Sequence, residues 1–379
     1  MKIIQVTPFF YPVIGGVETH VFEISKRLSK KHEVTVFTSD VDREGKRLPT
    51  YQKIGKVLVK RFKTILRLSE FVTYFPGIFN EIKNLDSDVI HVHAFRHPHN
   101  FLPLFYRRKY VITLHFPVYP SSSIKRRMLT FLFDNLVGKK LLKKYEKIIA
   151  LTKGEKIWIL KRFKIRKSKV EIIPNGISKH YLKRHNPNLF MNKFGVNKEK
   201  FLIISVGRVH KSKGFQDLLK AIHILPNKIK ENIVAYIIGP DAGFLGRLKI
   251  LRRIYGLTDK VFFTGKVSEK VKLSAYEACD LFILPSYWEG FGITLLEAMA
   301  KDKPVMARNT GGQKWVVPEK QFLFNSVVDL ARKIKLFYEG KLRKSLNYKE
   351  IVKEKYVWDK IVDKLIKVYE DAIHNSNSV

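Results

Sequence analysis

The stretch Leu284-Pro-Ser-Tyr-Trp-Glu289-Gly-Phe-Gly-Ile-Thr-Leu-Leu-Glu297-Ala-Met-Ala300 decides the fold. The apolar run Leu281-Phe-Ile-Leu284 that enters it has the length of a buried strand. Gly290 and Gly292 then open a loop, and a run of good helix formers follows. A strand, a glycine loop and a helix in that order make the repeating unit of a parallel α/β sheet. A helix start carries unpaired N–H groups and partial positive charge, so an anion can rest there. Glu289 falls on the loop, and Glu297 lies about a turn and a half into the helix. Carboxylates accept hydrogen bonds from vicinal hydroxyls, so the pair suits a sugar or ribose beside a phosphate. Two acids at this spacing on a plain surface helix would carry nothing; the surrounding pattern gives them meaning.

Short β-branched runs alternate with helical stretches along the rest of the chain. The first half predicts strands at Lys2–Thr7, Glu33–Ser39, Val57–Phe62, Val89–His93, Val111–His115, Ile148–Leu151 and Val170–Ile173. The second half predicts them at Leu202–Gly207, Val234–Gly239, Val261–Thr264, Leu281–Leu284 and Val305–Arg308. A chain of 379 residues suits two such domains, with Pro174–Asn197 as the linker. In open α/β sheets ligands bind at the carboxyl ends of strands, so two domains facing each other predict a cleft with binding loops on both lips.

Composition narrows the classes. No run approaches the length of a transmembrane helix. Gln5, Thr7 and Pro8 interrupt the apolar N-terminus too early for a signal peptide. Cys279 is the only cysteine, which forbids an intrachain disulfide and agrees with a cytoplasmic setting. The net charge is +38, and residues 101–170 hold 19 basic against 3 acidic side chains. Such a field attracts nucleic acid, anionic lipid or phosphorylated substrates, while a lysine-rich surface typical of some thermophiles accounts for the overall charge equally well. Residues Ser121–Lys147 predict a long basic helix with Phe131, Leu132, Val137, Leu141 and Leu142 on an apolar side. That pattern describes both a membrane-surface helix and a basic helix packed on a core.

Four further loops carry candidate chemistry. Gly15-Gly16 follows the first strand and opens a helix, allowing close backbone approach to a phosphate or simply a tight turn. It matches neither a dinucleotide fingerprint nor a P-loop. Gly207-Arg208-Val-His-Lys-Ser-Lys213-Gly214 places two cations on a loop before a helix, the combination a diphosphate needs. His115 ends its strand as a hydrogen-bonding partner, a general base or a satisfied core histidine. Pro174-Asn175-Gly176 serves as a turn or as a backbone contact. The group His91, His93, His97 and His99 has no carboxylate interleaved and does not read as a metal set.

Together these loops resemble the retaining nucleotide-sugar glycosyltransferases of family 4, the group 1 glycosyltransferases. The motifs that carry the likeness are Ser286-x-x-Glu289-Gly-Phe-Gly-x-x-x-x-Glu297-Ala, Gly207-Arg208, Lys213-Gly214, Gly15-Gly16-Val-Glu-x-His, Asp88-Val-Ile-His-Val-His93, Thr113-x-His115 and Ile173-Pro-Asn-Gly176. The resemblance implies the GT-B fold: two Rossmann-like domains facing across a cleft, with the last helix crossing back to the first domain. On that basis the domains are 1–185, with 358–379 returned to it, and 186–357.

The family implies that Glu289 binds donor-sugar hydroxyls with Gly290, Phe291 and Gly292 nearby. Glu297 would hold the ribose, Arg208 and Lys213 would neutralise the diphosphate with Gly15 and Gly16 close by, and His115 would touch the sugar near its reacting carbon. No metal or other cofactor is implied. The expected reaction is hexosyl transfer with retention to an acceptor hydroxyl, and the basic first domain points to a phosphorylated or lipid-linked acceptor at the inner face of the cell membrane. One departure stands out: where the family has Gly-Gly-x-x-Glu, this chain has Gly311-Gly-Gln-Lys-Trp315. The rival classes are a polyanion-binding protein, for which no nucleic-acid motif is present, and a GT-B epimerase or phosphorylase acting on sugar phosphates.

Overall fold

A computed structural model describes residues 1–67, 72–115 and 124–374. The chain forms two compact units, Met1–Gly176 with Trp358–Val379, and Ile177–Val357.

The first unit holds strands β1 (Lys2–Val6), β2 (Glu33–Ser39), β3 (Tyr51–Ile54), β4 (Val57–Phe62), the short pair β5 (Leu66–Arg67) and β6 (Thr73–Tyr74), β7 (Val89–His93), β8 (Tyr110–Thr113), β9 (Lys147–Ala150) and β10 (Val170–Ile172). Eight of them form one sheet in the order β10-β9-β8-β7-β1-β2-β4-β3, parallel except for β3 at the edge. Alternation along each strand sends neighbours to opposite faces. Ile4, Val6, Ile90 and Val92 join the core on one side, and Ile3, Val34, Val36 and Val89 join the core on the other.

That second core is completed from the far end of the sequence. The helix Trp358–His374 buries Trp358, Ile361, Val362, Leu365, Val368, Tyr369 and Ala372. Their three- and four-residue spacing makes one apolar stripe. The stripe packs with Val21, Ile24 and Leu28 of the helix Gly16–Leu28. The crossing back of the last helix is thus driven by burial of one helix face.

The second unit holds β11 (Phe201–Val206), β12 (Ile233–Ile238), β13 (Val261–Gly265), β14 (Leu281–Leu284), β15 (Val305–Arg308) and β16 (Leu323–Phe324). Its sheet is wholly parallel in the order β13-β12-β11-β14-β15-β16. The strands are almost fully buried, as parallel strands covered on both faces must be. The family's α/β architecture of two Rossmann-like units is therefore present.

Several details differ from the sequence reading. Predicted strands ending at Thr7, His115, Leu151, Ile173, Gly207 and Gly239 stop one or two residues earlier. At His115 (φ 58) and Gly239 (φ 151) the chain has already turned out of the extended region. The strands β3, β5, β6 and β16 were not anticipated; they are short or lie at edges. The single helix expected over Ser121–Lys147 is a helix at Ile124–Phe133, a π-turn at Asp134–Gly138 and a helix at Lys139–Lys143, while Lys147 begins β9 and residues 121–123 lie outside the described residues. The π-turn sits where Arg96 and Arg162 both hold Asp134 and where Gly138 is wedged against Phe95 and Phe163. Residues 177–185 lie with the second unit, where Tyr181 donates to Glu269 at 2.9 Å.

Trp358 is the largest fully buried side chain of the returning helix. Trp358→Ala is expected to cost about 3–5 kcal/mol. Urea denaturation followed by circular dichroism would check this; an unchanged midpoint would contradict the packing role.

Candidate functional site

In the second unit the strand order reverses direction between β11 and β14. The chain leaves β11 toward β12 and β13, then returns to β14 and runs on to β15 and β16. Loops from neighbouring strands diverge at such a switch point and leave a crevice at the carboxyl ends. The Arg208–Lys213 loop follows β11 and the Glu289 loop follows β14, so both line this position.

A network ties the loops together. Lys213 Nζ donates to Glu289 Oε1 at 2.6 Å, and Ser286 Oγ donates to the same oxygen at 2.7 Å. The backbone N–H of Tyr287 donates to the Ser212 carbonyl at 2.9 Å. The loop after β15 adds the N–H of Gly312 to the Glu289 carbonyl at 2.8 Å, and Gln313 Nε2 bridges the carbonyls of Ser286 and Arg308 at 2.9 Å each. A Cβ on Gly312 would collide with the Gly290 carbonyl, and one on Gly214 (φ 68) would collide with the Pro285 carbonyl. Only glycine allows those backbones to approach so closely. Arg308 is committed to Asp217 and stacks over Tyr287. Arg208 is exposed, and its guanidinium has no hydrogen-bond or ion-pair partner among the described residues. A free guanidinium therefore stands on the same loop as a cation already bonded to Glu289.

Glu297 is buried, in the helix Ile293–Met299 that begins at Gly292 (φ 96). Tyr276 donates to its Oε2 at 2.7 Å and Lys272 to its Oε1 at 3.2 Å. Tyr181 also hydrogen-bonds this carboxylate, so three side chains surround it. Lys272 also donates to Tyr181 at 2.9 Å. Burial, followed by the charges of Glu297 and Glu269, raises the Tyr181 phenol far above its ordinary range. Phe291 is buried against Tyr356, and Trp315 is 41% exposed with Lys314 over its ring.

The first unit builds a separate constellation. Gly15 is the N-cap of the helix Gly16–Leu28 and has no side-chain cap. Glu18 folds back over Gly15 and is held by Arg43 at 2.5 Å. A carboxylate therefore already lies at this helix start, with Arg43 as the cation beside it. At the ends of β7 and β8, Ala94, Arg96 and His115 all have left-handed φ (67, 68 and 58). Non-glycine residues held there cost about 1–3 kcal/mol each, and such strain gathers at functional sites.

The imidazoles of His20, His93 and His115 come together, with one ring nitrogen of each within 4.8 Å of the others. His93 Nδ1 lies 3.2 Å from His115 Nε2, and His20 Nδ1 lies 2.6 Å from Asn175 Oδ1. Burial pushes all three toward the neutral form: His20 down to about 4, and His93 and His115 well below their ordinary value. The residues considered together from sequence, His91, His93, His97 and His99, divide differently in space. His97 and His99 stack on each other, and His91 bonds Tyr369 and Thr113. Sequence reasoning did not find Gln5, Tyr369, Tyr276 or Arg43. Tyr369 carried a usable signal, since it is a hydroxyl on the apolar stripe of the last helix.

The chain matches two family models. Residues 14–180 match "Glycosyltransferase Family 4" and residues 188–355 match "Glycosyl transferases group 1". It is 27% identical to an uncharacterized glycosyltransferase of Methanocaldococcus jannaschii, over 99% of each chain. It is 23% identical to the phosphatidylinositol N-acetylglucosaminyltransferase GPI3 subunit of Saccharomyces cerevisiae, covering all of this chain and 84% of that one. Among solved structures it is similar to Anabaena Alr3699/HepE in complex with UDP, with a TM-score of 0.76, 20% identity, and coverage of 98% and 100% of the two chains.

The buried histidines set a pH dependence. His20 and His99 each titrate at about 4 when folded, against 6.5 unfolded, because burial penalises the charged ring. The unfolded chain therefore takes up protons first as pH falls. Their stability contribution is full above about pH 6.5 and is lost on the way down to about pH 4, at up to roughly 3 kcal/mol each. Urea midpoints measured between pH 7.5 and 4.5 are expected to fall steeply below 6.5, and His20→Asn is expected to flatten the fall. A flat profile would contradict the neutral assignment.

Proposed function

We propose, from the premise that this chain belongs to the family 4, group 1 glycosyltransferases, that it moves a sugar from a nucleotide diphosphate sugar to an acceptor hydroxyl with retention of anomeric configuration. The observation that carries this reading is the Lys213–Glu289 pair beside unpartnered Arg208 at the switch point of the second sheet. A diphosphate needs cations and a sugar needs hydroxyl acceptors; this loop set offers both.

In the proposed mechanism the bond between the sugar's anomeric carbon and the diphosphate oxygen breaks. Negative charge then grows on the leaving phosphate. Arg208 takes it with a planar fork and Lys213 as a point charge. Glu289 accepts from the sugar hydroxyls with the backbone of Gly290, Phe291 and Gly292 beside it. Glu297 accepts from the ribose diol. Lys213 has two further N–H groups and Glu289 a second oxygen, so each can bind the ligand while the two stay bonded. The acceptor oxygen bonds to the anomeric carbon on the same face, and its proton passes to the departing phosphate oxygen. His115 contacts the donor sugar, and the backbone of Gly15 and Gly16 approaches the donor with Arg43 as the neighbouring cation. The two cations do the charge work, so no metal is assigned. The UDP bound by the Anabaena relative supports a uridine nucleotide as the donor's leaving group.

The acceptor is assigned as a lipid-linked or phosphorylated compound at an anionic membrane surface. No described helix is long and apolar enough to cross a membrane. The helix Ile124–Phe133, however, leaves Ile124, Met128, Leu129, Phe131 and Leu132 exposed, with Leu136 following. Exposed Lys125, Arg127, Lys140 and Lys143 flank them. An apolar face edged with cations is what an interfacial helix presents to anionic lipid. The phosphatidylinositol-directed relative is consistent with this choice.

Arg208→Ala and Lys213→Ala are each expected to lower turnover about 100-fold, the scale of losing one charge-stabilising donor. Labelled nucleotide sugars and product analysis would check both the loss and the joining of label to an acceptor. Near-normal rates in both variants, or label released only as a sugar phosphate, would contradict the transferase reading. In a separate test the protein is expected to sediment with phosphatidylglycerol vesicles at low salt, and Leu129→Glu with Phe131→Glu to weaken this about tenfold. Equal sedimentation of both proteins, or none at all, would remove this surface from the acceptor assignment.

A further inference from the structure

We infer that Tyr369, on the returning helix, is a positioning residue for His115: through Gln5 and His93 it fixes the His115 proton on Nε2 and leaves Nδ1 as a lone pair. The inference rests on the proposed contact of His115 with the donor sugar and adds which atom makes it and what sets its proton.

The geometry is a chain of short contacts. Gln5 Nε2 donates to the Tyr369 hydroxyl at 3.0 Å, and that hydroxyl lies 2.7 Å from His91 Nδ1. Gln5 Oε1 lies 2.7 Å from His93 Nε2, and His93 Nδ1 lies 3.2 Å from His115 Nε2. Gln5, His91, His93 and Tyr369 are wholly inaccessible, and His115 is buried. Groups so buried pair with one another.

Neutral imidazole has one N–H and one lone pair, so each choice forces the next. The NH2 of Gln5 is on Tyr369 and its oxygen is on His93. An oxygen only accepts, so His93 donates from Nε2 and its Nδ1 is a lone pair. His115 must then donate from Nε2, and its Nδ1 carries no proton. At the other end the Tyr369 hydrogen goes to His91 Nδ1, and His91 donates from Nε2 to Thr113 Oγ1 at 2.8 Å. One other complete arrangement exists. With the Gln5 amide turned over, Tyr369 donates to its oxygen, His93 is protonated on Nδ1, and His115 is protonated on Nδ1. The amide as placed, with its NH2 toward Tyr369 and its oxygen toward His93, is the first of the two, and that arrangement is complete only because the Tyr369 hydroxyl accepts from the NH2. Phenylalanine at 369 would leave that NH2 buried without a partner, and the amide would turn toward His93.

The consequence for the sugar is a change of sign. With the proton on Nε2, His115 accepts a hydrogen bond from a hydroxyl at Nδ1. With the proton moved, it offers an N–H instead. The same contacts also define the rival occupant. A metal ion held by His20, His93 and His115 would need a lone pair on one nitrogen of each ring.

Long-range proton–nitrogen NMR of the full chain, labelled on histidine, reads the tautomers directly and without substrate. Wild type is expected to show His93 and His115 both protonated on Nε2. Tyr369→Phe is expected to move the His115 proton to Nδ1 and to lower kcat about tenfold at unchanged donor KM, the pattern of an interaction made only in the transition state. Gln5→Met, which removes the amide and keeps the volume, is expected to leave the His115 proton distributed over both nitrogens. Three results would overturn the inference: His115 protonated on Nδ1 in wild type, both variants keeping the wild-type tautomer and kcat, or stoichiometric binding of added Zn2+ alone that shifts His20, His93 and His115 together. A wild-type protein with the expected tautomers but no turnover on any nucleotide sugar would instead count against the transferase reading.

Discussion

The ion pair between Lys213 and Glu289 is the contact on which the second unit's site depends. It joins the loops after β11 and β14, the two strands on either side of the switch point. Without it, the Lys213 ammonium would lose its side-chain partner and Glu289 would keep only Ser286 on its carboxylate. With it, a cation and a carboxylate are held within one hydrogen bond of each other and only partly exposed. Glycine at 214 and 312 is the backbone condition for the arrangement, because the Pro285 and Gly290 carbonyls occupy the space a side chain would need. The loop after β15 then braces Glu289 from its main chain.

The first unit solves a different problem. Its sheet and first helix bring three buried imidazoles together, and hydrogen bonds and ring packing orient them. The returning helix supplies the needed hydroxyl at Tyr369 and the buried indole of Trp358, which meets the edge of His20 at 5.4 Å between ring centres. Sequence-distant burial and local proton placement thus come from the same seven-residue stripe. The left-handed backbone at Ala94, Arg96 and His115 shows where the fold tolerates strain to hold these groups.

Much of this was legible in the sequence. The alternation of β-branched runs with helices gave the parallel sheets, since buried strands must be apolar throughout. Glu289, Arg208 and Lys213 were visible as loop residues after apolar runs and Glu297 as a residue of the following helix, and the structure brings Lys213 and Glu289 into contact. What stayed hidden depended on three-dimensional pairing. Nothing in the local pattern around Lys213 predicts that its partner is Glu289 rather than a phosphate. The grouping of His20 with His93 and His115 follows from strand order β7-β8 beside β1, which local periodicity does not specify. Gln5 and Tyr369 are separated by 364 positions, and neither stands in a recognisable motif. The break at Asp134–Gly138 escaped notice; the two arginines that hold Asp134 there come from other elements.

The most direct test of the account is a double-mutant cycle on donor binding. Calorimetric titration of UDP-sugars into wild type, Lys213→Met, Glu289→Gln and the double variant would give the coupling between the two side chains. The account predicts a coupling of about 1 kcal/mol or more, since the two groups act on one ligand through a shared contact. Losses that simply add, with no coupling beyond about 0.3 kcal/mol, would contradict the claim that this pair organises the site.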